Sequence, residues 1–276
     1  MKNNGKKICV VTDSCSYFKE NEAAALGIKI IPVNYVADGR NFLESFCDRN
    51  GEFEQLIKRG SKLSTSQPNP AAFLSCFEEE TKNGGEVLCI IMSSRLSGTY
   101  SAAHIAAKSA AKNIAIVDSR LIAGGQNLLV KKAVALINDG KNLSEVIKIL
   151  EQTREKISTI FSVADLKPLR KSGRGFAKMS ANILNIKPVL HLKEGVVSFG
   201  GMARGNANIM KELISSIAPN AEEVVINYIG NGALSTNIYN VLRSDAPNLP
   251  VSLNKIGPVL GIHLGLDAVA VSQIVS

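Results

Sequence analysis

The sequence predicts an α/β protein of two domains, and three observations support that fold class. The first half alternates apolar strands with helices, which is typical of a parallel sheet covered on both faces. Near residue 160 the pattern changes to a hairpin and returning strands, which indicates a mixed or antiparallel sheet with helices on one face. The 276 residues, 45% of them hydrophobic, suffice for a large core. Residues 1–160 are therefore predicted to form an N-terminal parallel-sheet α/β/α domain, and residues 161–276 a smaller C-terminal α/β domain.

Apolar runs and helix signals define the elements of the first domain. Asn69 is a predicted helix N-cap, Pro70 suits the first helical turn, and Phe73, Leu74 and Phe77 fall on one helix face. Strands are predicted over KICVVTDS, IKIIPVNYV, GGEVLCIIMSS and NIAIVDS. Helices are predicted over NPAAFLSCFEEETKN, SGTYSAAHIAAKSAAK, AGGQNLLVKKAVALINDG and residues 142–153.

The second domain opens with TIFSVADLKPLRKSGR, and a hairpin is predicted over IKPVLHLKEGVVSFGGMARG. Its turn is placed at Lys193, Glu194 and Gly195. Helices are then predicted over NANIMKELISSIA and ALSTNIYNVLRSD, with strands over EEVVINYIG and PVSLNKIG. The final stretch, GIHLGLDAVAVSQIV, predicts a glycine-punctuated turn that carries His263, followed by a last strand.

Composition narrows the class of protein. The net charge is +8, but Lys and Arg are scattered among Glu and are not interleaved with aromatic residues, so we expect a solvated surface and no nucleic-acid partner. The five cysteines form no C-x-x-C pair, which predicts reduced thiols and no zinc or other metal site. The longest apolar runs are strand-sized, so we expect no signal peptide, no membrane span and a cytoplasmic location.

Hydroxyl groups cluster where the predicted parallel strands end. In parallel α/β sheets, ligands bind beyond the carboxyl ends of the strands. Helix N-termini at the same edge add N–H donors and a favourable dipole for an anion. The polar stretches at this edge are Thr12-Asp13-Ser14, Ser64-Thr65-Ser66-Gln67 in a predicted loop, Ser93-Ser94, Ser97-Gly98-Thr99 and Asp118-Ser119.

Catalytic motifs are incomplete around the same residues. The sequence Arg95-Leu96-Ser97-Gly98-Thr99 lacks the first glycine of the G-x-S-x-G nucleophile motif, and the chain has no P-loop and no H-E-x-x-H. Ser97 also suits a helix cap. His104 and His191 are expected to be surface or packing residues, which leaves His263 as the candidate base. Two alternatives to ligand binding stay open: a serine-dependent hydrolase or transferase that uses Ser97, and a nucleic-acid-binding regulator.

Motifs along nearly the whole chain resemble those of the DegV family, the bacterial fatty-acid-binding proteins that include the lipid-binding subunit of fatty acid kinase. The paired motifs TSQPNP (65–70) and SSRLSGTYSAA (93–103), in this order, are the most specific. The other matching stretches are VTDS (11–14), GIKIIPV (27–33), IVDS (116–119), Gly173-Arg174, NIKPVL (185–190) and His263.

The resemblance implies a fatty acid in a buried tunnel between the two domains. It implies that Thr65 and Ser97 hold the carboxylate, with Arg174 and His263 near the head group. Neighbouring motif residues Ser66, Gly98 and Thr99 complete the expected ligand-binding set. It further implies a non-catalytic protein without a cofactor, whose bound fatty acid is phosphorylated by a separate kinase subunit to an acyl phosphate for phospholipid synthesis. Transient contact with a membrane or an acyltransferase is compatible with that role.

Overall fold

The computed structural model describes residues 7–51, 53–110, 113–171 and 185–276. Within these ranges the strands, in chain order, are β1 (Ile8–Asp13), β2 (Lys29–Ile31), β3 (Val33–Ala37), β4 (Arg40–Glu44), β5 (Leu63–Ser66), β6 (Glu86–Ile91), β7 (Ile114–Asp118), β8 (Ile157–Ser162), β9 (Ile186–Lys193), β10 (Val196–Arg204), β11 (Ala221–Tyr228), β12 (Val251–Lys255) and β13 (Val269–Val275). The α-helices in the same ranges are α1 (Glu20–Leu26), α2 (Phe53–Lys58), α3 (Pro70–Thr81), α4 (Thr99–Ser109), α5 (Gly124–Asn138), α6 (Leu143–Arg154), α7 (Lys167–Lys171), α8 (Gly205–Ser215), α9 (Ala233–Asp245) and α10 (Pro258–Leu264).

The first sheet is parallel, with strand order β2-β1-β6-β7. Alternate residues of its strands enter two different cores, because successive side chains of a strand point to opposite faces. Val11 packs with Phe73 and Phe77 of α3, whereas Val10 packs with Leu128 and Leu129 of α5. Both faces are therefore covered by helices, and the predicted parallel-sheet α/β/α arrangement is confirmed.

The second sheet is mixed, with strand order β10-β9-β8-β13-β11-β12. Its neighbouring strands are antiparallel except for the parallel pair β11 and β12. Helices α8 and α9 cover one face, where Ile209 and Ile238 pack on Val224 and Ile226. The other face contacts α5, so the prediction of helices on one face only was wrong. Helix α5 serves both sheets at once, a double role that its sequence does not reveal.

A small antiparallel sheet of order β4-β3-β5 was missed by the sequence prediction. The predicted single strand IKIIPVNYV divides at Pro32 into β2 and β3, which belong to different sheets. Proline lacks the N–H that a continuous ladder needs. The predicted loop at 64–67 is largely strand β5, whose alternating partly buried and exposed residues give no apolar run. Helices α1, α2 and α7 were also missed.

Several local predictions are confirmed. The Asn69 side chain accepts a hydrogen bond from the N–H of Ala71 at 3.0 Å, and Pro70 is the first residue of α3. The predicted hairpin forms from β9 and β10, and both Glu194 and Gly195 in its turn have positive φ angles, of 51° and 77°. Such a pair matches the twist of hairpin strands. Strand β8 begins at Ile157 and joins the second sheet, while the division at residue 160 stays a prediction.

Helix α5 starts in close contact with the second sheet. A Cβ atom added at Gly124 would lie 2.7 Å from Oδ1 of Asn227, 2.9 Å from Oγ of Ser272 and 2.9 Å from Cβ of Val225. All three neighbours belong to buried residues of the sheet. A side chain at Gly124 would therefore separate α5 from the strands on which it packs.

We expect Gly124→Ala to lower the free energy of unfolding by about 1–3 kcal/mol, because overpacking forces a tight interface apart. Gly125→Ala is the matched control, since its added Cβ would meet Thr159 Oγ1 at 3.0 Å, a milder contact. Urea unfolding of both variants measures the difference, and equal stability of the two would contradict the packing argument.

Candidate functional site

A cavity of about 460 Å³ lies between elements from both halves of the chain. This volume falls in the range typical of small-molecule sites, roughly 300–1,000 Å³. Most of its wall is apolar and is formed by Val33, Met92, Leu96, Ile122, Ala123, Phe161, Leu169, Leu192, Val197, Ile256, Val259, Leu260, Leu264 and Ala270. The cavity is therefore suited to a ligand that is largely hydrocarbon.

A cluster of polar residues lines one part of this cavity and consists of Thr65, Ser66, Gln67, Ser97, Gly98 and His263. The Oγ1 atom of Thr65 lies 2.8 Å from Nε2 of His263, which joins residues 198 positions apart. The Gln67 side chain lies against the Cα of Gly98, because a Cβ added there would fall 1.7 Å from Gln67 Oε1. The two sequence motifs thus meet at one place in the fold.

Ser97 lies one residue before the N-cap position of helix α4. Gly98 is the N-cap residue, but the hydroxyl of Ser97 still accepts a hydrogen bond from the N–H of Thr99 at 3.2 Å. The Thr99 hydroxyl is 2.8 Å from that of Ser97 and is fully buried. Both the hydroxyl and the N–H of Thr99 therefore contact the Ser97 hydroxyl and restrict the rotation of the Ser97 side chain.

His263 lies on helix α10 and not in the predicted glycine-punctuated loop, so that prediction was wrong. The helix begins after Gly257 with Pro258, a residue suited to a first turn, and it ends at Leu264, with Gly265 as its C-cap. At seven residues, it is too short to show a clear periodic pattern.

Buried groups that the sequence analysis missed hold α10 in place. The N–H of Val259 donates to Oε2 of Glu44 at 2.7 Å, and the N–H of Leu260 donates to the Tyr17 hydroxyl at 3.2 Å. The hydroxyl of Ser14 donates to Oε1 of Glu44 at 3.0 Å. Glu44 is fully buried, and this desolvation raises its pKa to about 8. In the sequence Glu44 lies in the unremarkable stretch NFLESF, so no motif could have singled it out.

Asp13 accepts a hydrogen bond from the backbone of Met92, a residue that lines the cavity. Its carboxylate accepts hydrogen bonds from the N–H of Met92 at 2.8 Å, from Gln126 Nε2 at 3.0 Å and from the N–H of Cys15 at 3.0 Å. Burial raises the pKa of Asp13 to about 6, although these hydrogen bonds favour the charged form. Asp13 belongs to one of the polar stretches at the predicted ligand-binding edge, and its carboxylate contacts backbone and amide groups inside the protein.

The polar cluster reaches the surface on one side, because Ser66 and Gln67 are exposed while Thr65, Ser97 and His263 are half-buried. Arg174 lies outside the described residues. Among the described residues, no group of three or more His, Cys, Asp or Glu side chains is placed to hold a metal ion. Across the same residues, no helix has the length and apolar character needed to cross a membrane.

A nucleophilic role for Ser97 requires a base within hydrogen-bonding distance. The Ser97 hydroxyl pairs with the hydroxyl of Thr99, and Nε2 of His263 pairs with the hydroxyl of Thr65. The arrangement supplies hydroxyl and imidazole groups at the rim of an apolar cavity, and such groups can bind a carboxylate.

A family model that describes uncharacterised proteins of the DegV family matches residues 7–275. The chain belongs to the DegV family. A DegV domain-containing protein of Halalkalibacterium halodurans is 30% identical over 277 residues, which cover 96% of this chain and 98% of that protein. The resemblance stated from the motifs is thereby confirmed.

Solved DegV structures share the fold of this chain. A DegV lipid-binding protein from Thermotoga maritima has a TM-score of 0.88 and 26% identity, covering 98% of both chains. A DegV family protein from Thermus thermophilus, described by its fatty acid binding, has a TM-score of 0.88 and 28% identity, covering 98% of this chain and 100% of the other. The predicted two-domain α/β fold class is confirmed, and these DegV proteins bind lipids.

Proposed function

We propose that this protein binds one long-chain fatty acid in the 460 Å³ cavity, with the carboxylate at the polar cluster. The observation that carries the proposal is the meeting of Thr65, Ser97 and His263 at the edge of an otherwise largely apolar cavity. The fatty acid binding described for the relative from Thermus thermophilus supports it. The proposed ligand-binding residues are Thr65, Ser66, Ser97, Gly98, Arg174 and His263, with Thr99 behind Ser97.

The hydrocarbon tail supplies most of the affinity. Each buried methylene contributes about 0.8 kcal/mol, so ~15 methylenes contribute on the order of 12 kcal/mol before the costs of association. The predominantly aliphatic wall, with Phe161 as an aromatic member, suits a flexible chain. Chain length and the shape of the wall therefore govern binding strength more than the head group does.

The head group sets the orientation. Hydroxyl groups of Thr65 and Ser97 can each donate a charge-assisted hydrogen bond worth roughly 1.5–3 kcal/mol to a carboxylate. Helix α4, of 11 residues, begins beside Ser97, and its N-terminus favours an anion. Because Ser66 and Gln67 are exposed, a carboxylate held here lies close to solvent while the tail is enclosed.

We also propose that the protein is a non-catalytic subunit that presents the carboxylate to a separate kinase subunit in the cytoplasm. That kinase would phosphorylate the bound acid to an acyl phosphate for phospholipid synthesis, with transient membrane or acyltransferase contact for delivery. The motif resemblance to the lipid-binding subunit of fatty acid kinase supports this role, as does a head group near the surface. No nucleic acid takes part.

Mass spectrometry of protein purified without added lipid tests the binding proposal. We expect a fatty acid to be released on denaturation, at close to one per chain, and the delipidated protein to bind added fatty acid again. Absence of lipid together with no binding on titration would contradict the proposal. For the kinase role, a fatty acid kinase should form acyl phosphate from the loaded protein and not from the free acid.

A further inference from the structure

A second, smaller cavity of about 230 Å³ adjoins the proposed lipid cavity, and Leu192 is a lining residue of both. The second cavity is lined mainly by polar and charged residues, among them Arg120, Arg154, Ser158 and Lys193. Leu192 therefore borders both a largely apolar space and a mainly polar one.

Strand β8 shows how the two cavities are aligned. Thr159 and Phe161 line the lipid cavity, and Ile157 lines the second cavity. These residues alternate along one strand and so share a face, with successive members about 6.6–6.8 Å apart. Leu192 is paired with Thr159 on the neighbouring strand β9. The second cavity thus continues the lipid cavity in the direction from Phe161 to Ile157.

The polar cluster lies in the opposite direction. The carboxyl end of β8 leads to α7, and α7 packs against α10, which carries His263. His263 contacts Thr65, and the neighbouring Gln67 contacts Gly98. A fatty acid whose carboxylate is at this cluster therefore extends its tail along β8 towards Thr159 and Leu192.

We propose that Leu192 is the end wall of the fatty-acid site and sets the longest chain that the protein binds well. The inference rests on the proposed function. A methyl terminus that reaches Leu192 is still in apolar surroundings, whereas further methylenes would have to displace the side chain and enter a space lined by Arg120, Arg154 and Lys193. Those methylenes would add little to the free energy of binding, because the hydrophobic contribution depends on moving apolar surface from water into apolar surroundings.

The inference predicts how Kd depends on chain length in the wild-type protein. A homologous series of saturated fatty acids should bind about fourfold more tightly for each added methylene until the tail meets Leu192. Beyond that length the affinity should stop rising or fall. We call the chain length at which the affinity stops rising the break. The substitutions below should shift the break to longer or shorter acids.

Leu192→Ala should move the break to acids about two methylenes longer and improve binding of the first such acid roughly 15-fold relative to wild type. Leu192→Phe should move the break to shorter acids. Leu260→Ala is the matched control, since Leu260 lines the cavity on α10 near His263 and is half-buried like Leu192. This control should weaken binding of all acids similarly without moving the break.

Titration calorimetry or a displacement assay across the series, on delipidated protein of verified fold, provides the test. Opposite shifts for Leu192→Ala and Leu192→Phe support the inference, because a general loss of stability cannot produce shifts of opposite sign. An unchanged break in both variants overturns it. Failure of the wild-type protein to bind any acid overturns the proposed function itself, which distinguishes the two results.

Discussion

Raising the pH from 5 to 8 is expected to lower the free energy of unfolding by on the order of 3 kcal/mol, chiefly through Glu44. Burial raises the pKa of Glu44 from an ordinary value of 4.5 to about 8 in the folded protein. Between these two values the folded protein keeps a proton that the unfolded chain has released. Stability contributed by this group is therefore complete below pH 4.5 and is lost as the pH rises through 8.

The groups that face Glu44 explain the direction of this shift. Asp13, Cys15, Tyr17 and Tyr35 are its titratable neighbours, from β1, the turn that follows it and β3, and none of them is cationic. The neighbouring Asp13 carboxylate raises the pKa of Glu44 further, while hydrogen bonds from Val259, Ser14 and Tyr17 lower it. Desolvation by burial outweighs these hydrogen bonds.

Urea unfolding of wild type and Glu44→Gln at several pH values between 5 and 8 measures the effect. The side chain at position 44 of this variant is neutral at every pH. Its free energy of unfolding should therefore change much less with pH than that of wild type over the upper part of this range. Asp13→Asn is the comparison, and it should flatten the profile mainly below pH 6, where Asp13 titrates in the folded protein. The Cys9 and Cys47 thiols do not interfere, because burial raises the pKa of each to about 12. Parallel profiles for wild type and Glu44→Gln would refute the assignment.

Removal of the two hydroxyls of the polar cluster is expected to weaken fatty-acid binding by about 10- to 150-fold for each group. Thr65→Val and Ser97→Ala each delete one donor to the carboxylate, a loss of roughly 1.5–3 kcal/mol. Kinase turnover should fall further than binding does, because a misoriented carboxylate remains bound through its tail but is poorly placed for phosphorylation. Direct titration gives the affinities, and acyl phosphate formation gives the turnover.

Two controls separate head-group binding from general damage. Thr65→Ser keeps the hydroxyl and should retain most of the affinity. A fatty-acid methyl ester lacks the carboxylate, so its affinity should change little in either hydroxyl variant. If acid and ester lose affinity equally in Thr65→Val and Ser97→Ala, the two hydroxyls act on the cavity as a whole and not on the carboxylate.

Most regular elements could be predicted from the sequence because their signals are local. A few neighbouring residues are enough to specify the cap at Asn69, the hairpin turn at Glu194 and Gly195, and the apolar strands of the first sheet. The elements that were missed, such as β4 and α2, are short and partly exposed. Strand β4 pairs with the adjacent strand β3 across the Asp38-Gly39 turn, a local hairpin signal that the sequence prediction did not use. Helix α2 packs against the distant helix α10, a contact that leaves no periodic pattern in its own sequence.

Residue type and spacing were enough to predict the α/β class, to recognise the DegV motifs and to single out the candidate residues Thr65, Ser97 and His263. Only the packing of distant elements brings Thr65 into contact with His263, places Glu44 and Tyr17 against α10, and makes Leu192 a lining residue of two cavities. Such contacts join residues up to 243 positions apart. They depend on how helices and sheets pack against one another, and no local pattern of side chains specifies that packing.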